Sequence, residues 1–295
     1  MRILAVIPHY FQRQHGPAAD GRRHGSVVND PAQRIEALSS CIAAIHQLFD
    51  PTQSIIHIAR KITIAANSPL TARVDVVICT TGDAHLVQHL DLGPDAFEHR
   101  PTDADPQFLG VACRSVLRDR IGLYDYYCYL EDDLILRDPW LFAKLTWFNA
   151  HLGDDRLLQP NRYEVARKGI VRKAYVDGDL ADNVIGRFVD VSDDPLVKGS
   201  YLGRDISFIR AKNPHSGCFF LNARQMGTWC SRADFLDRET AFIGSLESAA
   251  TLGILRAFKV YKPAIDNAAF LEVEHFGTGF VDLIRMPLEG ELEGR

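Results

Sequence analysis

Three short apolar runs constrain this chain more than any other feature. RILAVI at Arg2–Ile7, VDVVIC at Val74–Cys79 and YDYYCYL at Tyr124–Leu130 each stop abruptly in a polar loop. Runs of this length, rich in β-branched and aromatic residues, are what strands buried on both faces require. Between the first two, Ile35, Leu38, Ile42, Ile45 and Phe49 recur at helical spacing. They follow Asp30-Pro31, an N-cap with proline in the first turn, and Asp50-Pro51 ends the helix. A second helix is expected over 107–121. Strand, helix, strand, helix, strand predicts an α/β fold with a mostly parallel sheet covered on both faces and ligands bound beyond the carboxyl ends of the strands.

The intervening segments are less regular. Residues 11–33 are rich in Gly, Asp, Arg and His and read as a mobile loop, and 55–66 mixes apolar and basic residues ambiguously. The second half predicts a helix near 139–151, a strand at 155–159, another near 169–176, and strands at 216–221, 259–261 and 270–274, with a helix over 245–257. Residues 164–205 otherwise carry no functional reading. The Gly- and Glu-rich tail from Pro287 is expected to fray.

Composition narrows the function classes. Hydrophobic residues at 46% and charged residues at 24% of 295 positions describe a globular chain with a substantial core. Its 33 basic and 38 acidic residues give a net charge of −5 with no run of Lys or Arg to neutralise a phosphate backbone or an anionic leaflet, which argues against nucleic acid or another polyanionic partner. No apolar run approaches the roughly 18–20 residues that span a bilayer, and the opening segment reads as a strand, not a signal peptide. A peripheral membrane contact stays open. The six cysteines include no CxxC pair, so buried thiols in a cytoplasmic, reducing setting are expected.

The third strand runs into Glu131-Asp132-Asp133. A chain with 38 acids in 295 positions holds roughly 0.6 such triplets by accident, so position is what gives this one meaning. Three carboxylates at the mouth of a buried strand repel one another unless a cation or strong donors offset them. Oxygen ligands favour Mg²⁺ or Mn²⁺. The same triplet also reads as a solvated turn, or as the N-cap of the helix near Pro139.

The alternating elements followed by YLEDDLIL resemble the nucleotide-sugar-dependent glycosyltransferases of the GT-A fold, and EDDL is similar to the motif of inverting N-acetylglucosaminyltransferases. The resemblance implies a single GT-A-like domain over 1–295. Its nucleotide-sugar half would be 1–140, its acceptor-side extension 141–280, and its tail 281–295. It also implies Asp133 as the metal ligand, with Glu131 and Asp132 contacting the ribose or sugar of the donor. HSGCFFLNARQMGTW and LESAATLGILRAFKVYKP resemble the acceptor-side strand and helix and the following acidic helix start. On that pattern Glu247 is the general base, with Glu239 the alternative because Ser248 stands where many relatives carry Asp. His275 completes the metal shell.

Other residues take roles by position in that pattern. Pro8, Tyr10 and Thr80 would border the nucleotide, Asp83 would accept from a uracil-type imide, and Arg114 would reach a phosphate. Asn161, Arg162 and His215 would line the acceptor pocket. Each also has an ordinary reading: loop packing, turn formation, an exposed helix arginine, a polar strand end. Glu247 equally suits a helix N-terminus, where a carboxylate is favourable by about 0.3–1 kcal/mol. The activity implied is transfer of a hexose or N-acetylhexosamine from a nucleoside-diphosphate sugar, UDP-linked in preference. The acceptor would be a glycan or lipid-linked hydroxyl, as in polysaccharide biosynthesis. A nucleotidyltransferase and a non-catalytic nucleotide-sugar-binding module are the alternatives.

Overall fold

The first strand, β1 (Arg2–Pro8), divides its side chains between two layers. Ile3, Ala5 and Ile7 join Leu38, Ile42 and Ile45 of α1 (Pro31–Phe49) in one apolar cluster. Leu4 and Val6 join Leu109, Cys113 and Leu117 of α2 (Leu109–Asp119) in another. The strand period of two therefore sends alternate residues to opposite helical layers, which is why the run is apolar throughout. Each fully buried side chain of this kind is worth about 1.5–3 kcal/mol relative to exposure. The clamp of α1 on the sheet fixes where its first turn sits. Asp30 caps that turn, accepting from Ala32 N–H, with proline beside it as expected.

The structure, a computed structural model, describes residues 1–12, 30–166 and 171–283. Most of the expected loop over 11–33, the start of the expected strand near 169–176, and the tail from Pro287 lie outside the described residues.

Between α1 and the next sheet strand, the ambiguous 55–66 segment is a hairpin of β2 (Ser54–His57) and β3 (Ile62–Ala65). Strands β4 (Arg73–Thr81), β5 (Glu98–Thr102) and β6 (Tyr126–Leu130) then complete a parallel set around β1. Next come β7 (Leu134–Ile135), α3 (Leu141–Leu152), β8 (Arg156–Leu158), β9 (Asn161–Val165) and β10 (Lys173–Tyr175). The short α4 (Asp182–Ile185) leads to β11 (Leu196–Tyr201), β12 (Arg204–Arg210) and β13 (Cys218–Asn222). The last elements are α5 (Ala223–Cys230), α6 (Ser245–Ala257), β14 (Lys259–Pro263) and β15 (Glu272–His275).

The main sheet has the order β13-β6-β1-β4-β5, with only β13 antiparallel. This is the mostly parallel α/β sheet flanked by helices that the sequence predicts. Two four-stranded sheets, β10-β9-β15-β7 and β11-β12-β14-β8, extend it on the β6 side. Two pairings matter for the site. β13 runs against β6 and brings the loop before Cys218 to Glu131, whose N–H donates to Gly217 O at 2.8 Å. β15 runs against β7 with His275 opposite Leu134, which sets His275 beside Asp133. The described thiols are all free, five of them buried.

Candidate active site

The acidic triplet sits where β6 ends, and its three members have three different environments. Asp132 is enclosed by hydrogen-bond donors. Arg34 Nη2 donates to both of its oxygens at 2.5 and 2.6 Å, and His9 Nδ1 lies 2.5 Å from Oδ2. His9 Nε2 accepts from Leu86 N–H at 3.1 Å, so Nδ1 carries the proton that it donates to Asp132. Burial alone would raise this carboxyl, but Arg34 and His9 outweigh it and hold Asp132 at about 2.

Asp133 is differently placed. Its Oδ1 is buried without a hydrogen-bond partner among the described residues, while Oδ2 lies 3.6 Å from Arg34 Nη1 and 3.7 Å from His275 Nε2. His275 Nδ1 donates to Glu164 at 2.9 Å, and Glu164 also accepts from Phe280 and Val281 N–H. Burial lowers the imidazole pKa, yet the Glu164 hydrogen bond and the Asp133 charge together raise it. A histidine fixed through Nδ1 by a carboxylate, with Nε2 aimed at an aspartate, has the arrangement of a metal ligand with its supporting shell.

Glu131 is only 6% exposed and has an Oε1 with no hydrogen-bond partner. Burial pushes it up to about 8; Arg162 opposes, while Asp133, Glu247 and Asp132 add to the rise. Burial thus favours the protonated form, which can donate a hydrogen bond. Facing it are Arg162 Nη1 at 3.8 Å and His215 Nε2 at 3.9 Å. Both gaps are too long for direct hydrogen bonds and suit an intervening hydroxyl or water. Gly217 makes this packing possible: its φ is +62°, and a Cβ there would fall 2.7 Å from Glu131 Oε2.

Behind Glu131 lies a buried charge network. Asp177 accepts from Arg162 Nε at 3.0 and 3.2 Å and from its Nη2 at 2.7 Å, and from Lys262 at 3.1 Å. Burial opposes the charge on Asp177, but Lys262 and Arg162 hold it well below the usual carboxylate range. Lys262 also donates to His215 O at 2.6 Å, and His215 Nδ1 lies 3.2 Å from Thr251 Oγ1. Burial, reinforced by the Arg162 charge, keeps the His215 imidazole well below its ordinary value. Glu247 occupies the first turn of α6, half-buried and near enough to act on Glu131.

A cavity of about 470 Å³ opens at the ends of β1 and β4, lined by Phe11, Gln12, Asp83, Ala84 and His85. Its volume lies within the usual range for small-ligand sites. Asp83 is exposed there, as a group that meets a ligand should be.

The structure thus brings together Glu131, Asp132, Asp133, His275, Arg162 and His215, with Glu247 close by, and sets Asp83 in the adjoining cavity. Other expectations are corrected. Arg114 is buried rather than free for a phosphate: its Nη2 donates to Ser248 O and Ala249 O, and its guanidinium covers the Trp229 ring. An arginine on the inner face of α2 is held by carbonyls because burial leaves it no water. Both oxygens of Asp132 are occupied by Arg34 and His9, so it does not present a free carboxylate to a ribose. Thr80 is fully buried with Oγ1 on His99 Nε2, and Asn161 spends its amide on Pro263 O and Ala268 O. The Tyr10 hydroxyl donates to Gln12, and Pro8 ends β1 ahead of His9. Glu239, the alternative base, is ion-paired to Arg256.

Arg34, His9, Glu164 and Asp177 were not among the sequence candidates. Arg34 had a readable signal, because it falls on the same helical stripe as Leu38, Ile42 and Ile45 and is therefore an arginine on a buried face. Glu164 and Asp177 sit alone in polar stretches and carry no such mark.

Among the described residues, no group of three or more His, Cys, Asp or Glu has the geometry to hold a metal ion by itself. A divalent cation would fit a smaller seat: Asp133, with its unpartnered Oδ1, and His275, backed by Glu164. Such ions are commonly held by one or two protein ligands plus phosphate oxygens and water.

No family model and no curated protein matches the chain. Among solved structures it is similar to S. aureus TarS. Against TarS 1-349 the identity is 8% and the TM-score 0.44, covering 94% of this chain and 61% of that one. Against a longer TarS structure the identity is 8% and the TM-score 0.46, covering 94% and 37%. A complex of TarS 1-349 with UDP-GlcNAc gives 8% identity and a TM-score of 0.42, covering 97% and 62%. The chain therefore spans less than two thirds of the length of each of these structures.

Proposed function

We propose that this chain is a glycosyltransferase that takes a sugar from a nucleoside-diphosphate donor, UDP-linked, and passes it to a hydroxyl acceptor with inversion. One observation carries the reading. At the carboxyl end of the central parallel strands, Asp133 has one oxygen without a partner among the described residues and the other 3.7 Å from Nε2 of a histidine braced by Glu164, beside a cavity of about 470 Å³. The EDDL resemblance and the TarS–UDP-GlcNAc complex support a UDP-sugar in that cleft.

Asp133 and His275 would hold a Mn²⁺ or Mg²⁺ ion, whose chemistry would be to offset charge on the departing diphosphate. The chain's own groups do the rest. Phe11 and His85 would flank the base, with Asp83 accepting from its imide. Glu131 would hydrogen-bond a sugar hydroxyl, with Arg162 and His215 fixing its position. Glu247 would take the acceptor proton as attack proceeds from the opposite face. The acceptor would lie on the β14–β15 side, over residues 141–280, and a glycan is the class proposed.

Thermal shift of the purified protein with a nucleotide panel and Mn²⁺ tests this reading. Stabilisation by UDP plus Mn²⁺ beyond either alone is expected. No response to any nucleotide diphosphate, or a response only to guanosine or thymidine forms, would overturn it.

A further inference from the structure

The β2–β3 hairpin has no part in the cleft and is built in an unusual way. Its neck is closed: Ala72 N–H donates to Phe49 O at 2.6 Å, Ala66 N–H to Gln53 O at 2.9 Å, and Asn67 Nδ2 to Gln53 Oε1 at 2.8 Å. Beyond that neck, among the described residues, the two strands pair only with each other. The register puts Ile55, Ile62 and Ile64 on one face, Ile56 on the other, and Ile58 at the tip. All are exposed: 65% for Ile55, 71% for Ile56 and 83% for Ile58. A lone two-stranded hairpin is marginal in water, and exposed isoleucine on both of its faces has a cost unless something covers it.

Charge on the hairpin is equally one-sided. From residue 51 to residue 74 the sequence holds Arg60, Lys61 and Arg73 and no acid, within a chain whose net charge is −5. Arg60 and Lys61 stand at the tip beside Ile58. α1 runs back against β1 before the hairpin begins, so the hairpin lies at the amino-terminal edge of the sheet, opposite the acidic triplet. Met1, Ile121 and Leu123 are exposed at that same edge.

We infer that the β2–β3 hairpin is a docking element for an anionic lipid surface, burying its isoleucines among acyl chains while Arg60 and Lys61 meet phosphate headgroups. A protein partner pairing with one edge would cover one side, whereas here exposed isoleucine stands on both faces and at the tip, which a surrounding medium would cover. The cations at the tip complement anionic headgroups and would be repelled by a cationic surface. The chain lacks a long basic run, so the apolar residues carry binding and the two cations select lipid charge. Docked in this way, the cleft faces away from the bilayer by about the length of the sheet strands, roughly 25 Å. This inference stands apart from the transferase reading.

The test is co-sedimentation of the full chain with vesicles of phosphatidylglycerol and phosphatidylcholine in equal parts, or of phosphatidylcholine alone. Binding to the anionic vesicles, weakened by salt and reduced about tenfold or more in Ile58→Asp and in Arg60→Glu, is expected. Both positions are at the exposed tip, so unchanged melting temperatures should accompany the loss. Absence of wild-type binding, or equal binding by the variants, overturns the inference. So does a concentration-dependent dimer, seen by light scattering, that Ile55→Asp dissolves, because it assigns the hairpin to a second copy.

Discussion

Arg34 and Asp132, 98 residues apart, form a two-point contact in which one guanidinium nitrogen reaches both carboxylate oxygens, and neither side chain is more than 8% exposed. The contact ties the first turn of α1 to the end of β6. Removing either partner strands a buried charge, a change that costs about 3–5 kcal/mol in comparable pairs. Arg34→Met should therefore lower the denaturant midpoint by a large fraction of total stability. The double variant Arg34→Met with Asp132→Leu should recover much of it. Chemical unfolding of the two singles and the double measures the coupling.

Asp133 and His275 should carry the dependence on divalent cation. In Asp133→Ala, the thermal stabilisation by UDP with Mn²⁺ should vanish. A ligand at a hundredfold its Kd stabilises by about 2.7 kcal/mol, so the lost shift is measurable. His275→Ala should weaken the Mn²⁺ response without removing nucleotide binding. Because Nε2 must shed its proton to take a cation, the wild-type Mn²⁺ response should also fall in mild acid.

Glu247→Gln should separate binding from chemistry. Nucleotide affinity should stay at the wild-type value, while turnover falls by about 10² to 10⁴, the span a positioned base supplies. Turnover equal to wild type would remove Glu247 from the reaction.

His215 gives a pH signature. Its folded pKa lies well below the ordinary 6.5, so between those values the unfolded chain binds a proton that the folded chain does not. Stability then rises with pH across that window and is lost as pH falls from 6.5 toward the folded value. Chemical denaturation between neutrality and pH 5 should show this slope, and His215→Gln should flatten it whatever its own stability.

Much of this was legible in the sequence where the cause was local. The strands at Arg2, Val74 and Tyr124, and the α1 cap at Asp30-Pro31, depend on periodicity and on neighbours a few residues away. Asp133 and His275 were nameable through the EDDL and last-strand patterns, and the fold sets them side by side. Arg114 was misread because an arginine on a helix carries the same letter whether solvent or three carbonyls surround it. Asp177 and Glu164 were missed for the opposite reason. Their importance comes from Arg162, Lys262 and His275, which reach them only after the smaller sheets have formed. Hairpin 54–65 looked ambiguous because its isoleucines face solvent and obey no burial period.

The pairing of β15 with β7 has a consequence for how the site can be broken. His275 is carried by the last of the described strands, while Asp133 stands at the end of the parallel core. A chain clipped before Glu272 would retain every strand of the central sheet, yet leave Asp133 without the imidazole at its side. The two halves of this pair thus depend on different sheets, and a cut that spares the larger one is enough to part them.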